Sequence, residues 1–196
     1  MMKTILGTIL ATLPLPATAQ VESYTVDSIH SFSHFGVDHL GLSLMWGRFD
    51  KMGGKFMLDR AAKKAAVEVA IETASVTTGD TEKGSRPRTR DEHLRTADFF
   101  NVAEYPRMTY KSTNVKFSGD NPSEIEGQLT LLGVTKPVTL SIDRWVCKEH
   151  PFAKRPACGG NVSGSIKRSE FGMKFGIPAM SDEIRLMITF EAFKDQ

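Results

Sequence analysis

Cysteine is scarce in this chain, with only Cys147 and Cys158 among 196 residues. That excludes a disulfide-dense mini-scaffold, and no further cysteine is present to complete a structural zinc site. Charge of one sign is also lacking. The formal net charge is +2 and falls to +1 without Lys3, so neither nucleic acid nor an anionic membrane is attracted in bulk. No apolar run approaches the ~20 residues a spanning helix needs, so stable membrane insertion is not expected. The chain contains no Gly-x-Ser-x-Gly, His-Glu-x-x-His, glycine-rich phosphate loop or Cys-x-x-Cys. The commonest signatures of hydrolase, metalloprotease, nucleotide and thiol-redox chemistry are therefore missing.

The one apolar run lies at the start. Lys3 precedes Ile5 to Leu15, and Ala17-Thr18-Ala19 precedes Gln20. A basic residue, a short apolar stretch and a small-x-small ending predict a secretory signal peptide over 1–19, cleaved after Ala19, and a periplasmic or secreted destination. The remainder, 20–196, has the length of one domain. In an oxidising compartment Cys147 and Cys158 pair more readily than they bind metal. A disulfide closing so short a loop is worth about 3 kcal/mol in the chain-entropy model.

Period two dominates the rest. Val67, Val69 and Ile71 alternate with polar or small residues, as do Val138, Leu140 and Ile142, and then Ile184, Leu186, Ile188 and Phe190. Further strands are expected at 23–29, 32–40, 54–58, 109–117, 125–132 and 161–167, separated by Gly, Asn, Asp and Pro clusters. Many short strands without regular helical alternation predict an antiparallel all-β sandwich or closed barrel.

The stretch DEHLRTADFFNVAEYP, Asp91 to Pro106, breaks this rhythm. Leu94, Ala97 and Phe99 fit one side of a short helix begun near Thr89 or Asp91 and ended before Pro106. His93 with Asp91 or Asp98 has the composition of an acid-base group, and equally that of a solvated helix face paired with Arg90 and Arg95. His30, His34 and His39 invite a metal reading. However, four residues of strand separate the first two by about 13 Å, and no metal site is expected.

Four ordered motifs carry a family resemblance. They are His39-Leu40-Gly41 with Gly47-x-Phe49; Arg90-Asp91-Glu92-His93-Leu94-Arg95-Thr96-Ala97-Asp98-Phe99-Phe100-Asn101 with Tyr105-Pro106; Gly127-x-Leu129-Thr130 through Gly133-Val134-Thr135-Lys136-Pro137-Val138; and Arg168-Ser169-Glu170-Phe171-Gly172-Met173. Together they resemble the YceI-like family over roughly 23–193. The Lys83 to Arg88 stretch (KGSRPR) and the Cys147–Cys158 loop depart from that pattern and read as surface elaborations.

The resemblance implies a single lipocalin-like antiparallel β-barrel of about eight strands with a short helical insertion. Its apolar interior would bind a polyisoprenoid, an isoprenoid quinone or another long-chain amphiphile, with no other cofactor. Strand parity nominates the lining as Phe35, Val37, Val67, Val69, Ile71, Leu129, Leu131, Leu140, Ile142, Ile184, Leu186, Ile188 and Phe190, with Phe171 and Met173 added from their own alternation. At the mouth, Leu94, Phe99 and Phe100 are expected to cover apolar space, while His39, Arg90, His93 and Arg95 face a head group. Val134 to Pro137 reads as a connection between strands. Two other functions stand beside the carrier: an enzyme using His93 with Asp91 or Asp98, and a stress-related barrel with a filled core. A homodimer is left open.

Overall fold

The computed structural model describes residues 21–196; the expected leader, 1–19, lies outside the described residues. Among the described residues eleven strands occur: β1 (Glu22–Val26), β2 (Phe32–His39), β3 (Ser43–Phe49), β4 (Met52–Asp59), β5 (Lys64–Glu72), β6 (Val76–Thr77), β7 (Arg107–Ser118), β8 (Asn121–Leu131), β9 (Val134–Glu149), β10 (Pro156–Lys167) and β11 (Met180–Lys194). One helix, α1 (Arg90–Leu94), and 3-10 turns at Thr73–Ser75 and Arg168–Phe171 complete the elements of these residues.

These strands form one closed antiparallel barrel of eight staves. β11 pairs with β2 from Met180 to Thr189 and with β1 from Ala192 to Lys194, so β1 and β2 are two parts of one bent stave. β3 pairs with β2 and β4 with β1, making a second bent stave. From there the order runs β4-β5-β7-β8-β9-β10-β11, and the β1–β11 pairing closes the ring. β6 only adds two residues to the edge of β3. Closure removes the unpaired edges that make an open sheet prone to aggregation.

Interior packing follows from the two-residue period. Phe49, Met108, Tyr110, Ile125, Leu131 and Val138 are buried inside, while outer neighbours such as Glu68 and Lys111 face water. Gly47 lies under the Phe35 ring, where any Cβ would collide with it, which accounts for glycine at the start of the Gly47-x-Phe49 motif. The β8–β9 hairpin turns on Leu132 and Gly133, both at positive φ, as a tight two-residue turn requires.

Several expectations need correction. Val134 to Pro137 is the first part of β9 rather than a connection, because Leu132-Gly133 already completes the turn and Pro137 sits opposite Gln128. β3 was not expected: its Leu44-Met45-Trp46 run hides the alternation. The helix ends at Leu94, and Ala97 is exposed instead of sharing an apolar side. The expected disulfide, by contrast, is present: Cys147 and Cys158 lie opposite each other on β9 and β10, next to the turn that joins them.

Candidate functional site

The barrel is not filled. A cavity of about 530 Å3 runs through it, within the ~300–1,000 Å3 range of small-molecule sites. Its wall takes Phe35 and Val37 from β2, Val67, Val69 and Ile71 from β5, Leu129 and Leu131 from β8, Leu140 and Ile142 from β9, and Ile184, Leu186, Ile188 and Phe190 from β11. Met173 joins them from the β10–β11 connection. Fourteen of the fifteen nominated lining residues therefore face the space.

The exception is Phe171. It belongs to the 3-10 turn Arg168–Phe171, which interrupts strand parity and seals the ring in the core at 1% exposure, away from the cavity. Wall residues that parity did not nominate include Met45, Phe56, Tyr110 and Trp145. Tyr110 was within reach of the sequence reading, since it lies in the expected 109–117 strand. Its hydroxyl sits 2.9 Å from Val138 O and 3.1 Å from Ile125 O, and burial first, then the Glu126 charge, pushes it up to about 12. It therefore stays a neutral donor bonded to the wall.

The charged groups of the wall lie at one end, where the crossing between β5 and β7 covers the barrel. Thr89 caps α1 by accepting from the Glu92 N–H, and the Glu92 carboxylate accepts from the Thr89 N–H. The cap starts the helix at Arg90 and turns Arg90, His93 and Leu94 to the cavity. Phe100 packs edge-on to Phe49 and Phe35, at 5.1 and 6.0 Å between centroids, and Phe99 packs on Phe175 at 5.3 Å. The crossing is thus held down by aromatic contacts; Leu94, Phe99, Phe100 and His39 all line the cavity.

Arg95 departs from expectation. Its Nε donates to Ala74 O and its Nη2 to Val76 O, at 3.0 and 2.7 Å, and it does not line the cavity. It pins the crossing to the strand beneath it. Asp91 is similarly occupied, accepting from the Thr78 backbone N–H at 2.8 Å and the Thr78 hydroxyl at 2.6 Å rather than from His93. His93 does meet Asp98, with Nε2 2.8 Å from Oδ2. Arg88 shares that same oxygen at 3.2 Å, and Phe99 and Phe175 stand edge-on to the His93 ring at 5.0 Å each.

Two cations emerge that were not singled out. Arg86, from the stretch read as a surface elaboration, lines the mouth. Arg168 is 2% exposed and lines the cavity, with its guanidinium donating to the carbonyls of Met173, Phe175, Met180 and Ser181. Burial pulls its pKa down while the Asp182 charge opposes this; arginine nonetheless remains protonated. The family motif pointed to this position, but residue type alone did not reveal a hub for a loop. Among the described residues, no three His, Cys, Asp or Glu side chains converge as metal ligands, and His30 pairs with Asp27 at 2.7 Å.

A family model described as "YceI-like domain" matches residues 24–192. The Escherichia coli protein named YceI is 38% identical over the full length of both chains. Among solved structures, a Campylobacter jejuni YceI protein matches with a TM-score of 0.66 at 29% identity, covering 81% of this chain and 90% of that one. A Saccharophagus degradans domain described as polyisoprenoid-binding matches with a TM-score of 0.62 at 19% identity, covering 88% of this chain and 98% of the other.

Proposed function

As the chain belongs to the YceI-like family, we propose that it is an exported carrier that sequesters a polyisoprenoid or similar long-chain amphiphile inside the barrel. The observation that carries this reading is the apolar cavity of about 530 Å3 in a closed barrel whose charged wall groups, Arg86, Arg90, His93 and Arg168, gather at one end. Such a space suits a chain with a hydrocarbon tail and a polar head. The same fold in a domain described as polyisoprenoid-binding is consistent with this use, and the disulfide fits an oxidising compartment outside the cytoplasm.

Energetics agree in scale. About a dozen buried methylenes contribute about 10 kcal/mol gross, and micromolar binding requires about 8 kcal/mol after association and ordering costs, so a somewhat longer chain suffices. No reaction is needed for this function. The His93–Asp98 pair shares its carboxylate with Arg88 and lies between two phenyl rings, an arrangement that supports fixing the crossing in place rather than proton transfer.

Trp145 lines the cavity against Phe56 and Phe190, and its indole N–H has no hydrogen-bond partner among the described residues. Titrating the delipidated protein with a C20 isoprenoid alcohol is expected to change tryptophan emission saturably, since Trp145 and Trp46 both line the cavity, with one molecule bound per chain. An unchanged spectrum, with no ligand retained on gel filtration, would contradict the carrier reading.

A further inference from the structure

We propose that the cavity mouth selects an acidic head group, a phosphate or a carboxylate, through Arg90 with Arg86 beside it. This inference rests on the carrier reading and extends it to the chemistry of the head.

Apart from His39, which also lines this space, the other cationic or ionisable groups of the mouth have defined partners. Arg168 is spent on four backbone carbonyls, and His93 is bonded to Asp98. Arg86 forms a planar pair with Asp80, at 2.8 and 3.0 Å, and also donates to Lys83 O and Glu82 O. Those bonds fix it at the mouth with its guanidinium part exposed. Arg90 differs. It lines the same space, yet no carboxylate among the described residues lies within 4 Å of its guanidinium, and its one side-chain hydrogen bond is a long 3.4 Å contact to the Thr78 hydroxyl.

The carboxylates nearby are engaged elsewhere. Asp80 takes both terminal nitrogens of Arg86 and the backbone N–H of Arg90, and Asp91 takes the backbone N–H and hydroxyl of Thr78. Most of the five donors on Arg90 therefore have no protein acceptor, at the border of an apolar cavity. A guanidinium there is matched by a planar or tetrahedral oxyanion, which accepts two parallel N–H bonds, better than by a neutral carbonyl or hydroxyl. Arg90 belongs to the second of the family-resembling motifs, whereas Arg86 lies in the Lys83 to Arg88 stretch that departs from them, so only the Arg86 contribution would be particular to the present chain.

The test holds the tail constant and varies the head. Geranylgeraniol, geranylgeranyl phosphate and geranylgeranoic acid are titrated into wild type, Arg90→Gln and Arg86→Gln, with tryptophan emission as the readout. In wild type at least one acidic probe is expected to bind about tenfold more tightly than the alcohol, as a charge-assisted pair implies. Arg90→Gln should bring acid and alcohol within about threefold of each other, chiefly by weakening the acid. Whichever acidic probe binds more tightly identifies phosphate or carboxylate. Equal affinity of all three for wild type, or an undiminished preference in Arg90→Gln, would overturn the assignment while leaving the carrier standing. Binding of none would overturn both.

Discussion

Replacing Arg168 with methionine is expected to lower stability by about 3–5 kcal/mol, the scale seen when one partner of a buried charged network is removed. Methionine approximates the aliphatic stem and fills the space, so the loss comes from the donors. Four carbonyls, those of Met173, Phe175, Met180 and Ser181, converge on one guanidinium. Without it each must find water or go unpaired, and an unpaired buried acceptor costs about 1–3 kcal/mol. Relief of the charge's own desolvation offsets part of this, which keeps the expected sum below four full penalties.

The same change should loosen the mouth. Arg168 holds the connection between β10 and β11, which carries Phe175, and Phe175 packs on both Phe99 and His93 of the crossing. Urea denaturation of wild type, Arg168→Met and Arg168→Lys checks the magnitude. Lysine should recover only part of the loss, since its three donors radiate from one point and do not reproduce the planar fork. A methionine variant as stable as wild type would mean that the loop is held by its apolar contacts alone.

The second large effect is on binding. Val69→Trp places an indole in the open space of the cavity, displacing about four methylenes of any occupant, or about 3 kcal/mol, which corresponds to roughly a hundredfold weaker binding. Overpacking a filled core costs about 1–3 kcal/mol in stability, whereas a side chain growing into a void should cost less. Glu68→Trp, one position along β5 and on the outer face, provides the control. It should leave affinity unchanged, because adjacent strand residues face opposite sides. Binding that survives Val69→Trp in a folded protein would place the occupant outside the cavity.

What the sequence revealed follows physical lines. Alternation identified the inward faces of β5, β9 and β11 because each places one face against the interior and the other toward water. It failed at Phe171, where a 3-10 turn replaces the two-residue period. It also failed at β3, where the run of Leu44, Met45 and Trp46 at the cavity mouth has no clean polar partner set. Parity reports which way a side chain points and not whether another side chain meets it, so an open cavity and a filled core looked alike.

The crossing was recognisable from its capping residues and aromatic content, but the division of labour among its charges was not. Arg90, His93 and Arg95 look equivalent in sequence. Only the positions of the Ala74 and Val76 carbonyls assign Arg95 to anchoring, and Arg90 stands apart because Asp80 and Asp91 are occupied elsewhere. Arg86 was overlooked because a Lys-Gly-Ser-Arg-Pro-Arg stretch has the composition of an ordinary solvated loop. Its role at the mouth depends on Asp80, six residues earlier, folding the loop back on itself.

The central claim is that the barrel interior holds a long-chain amphiphile, and native mass spectrometry of the protein isolated from its own cells tests it most directly. The expected spectrum shows the chain carrying one added mass, which organic extraction releases as an isoprenoid or comparable long-chain lipid. A spectrum of the bare chain, from protein that also takes up no C20 isoprenoid in solution, would contradict the claim.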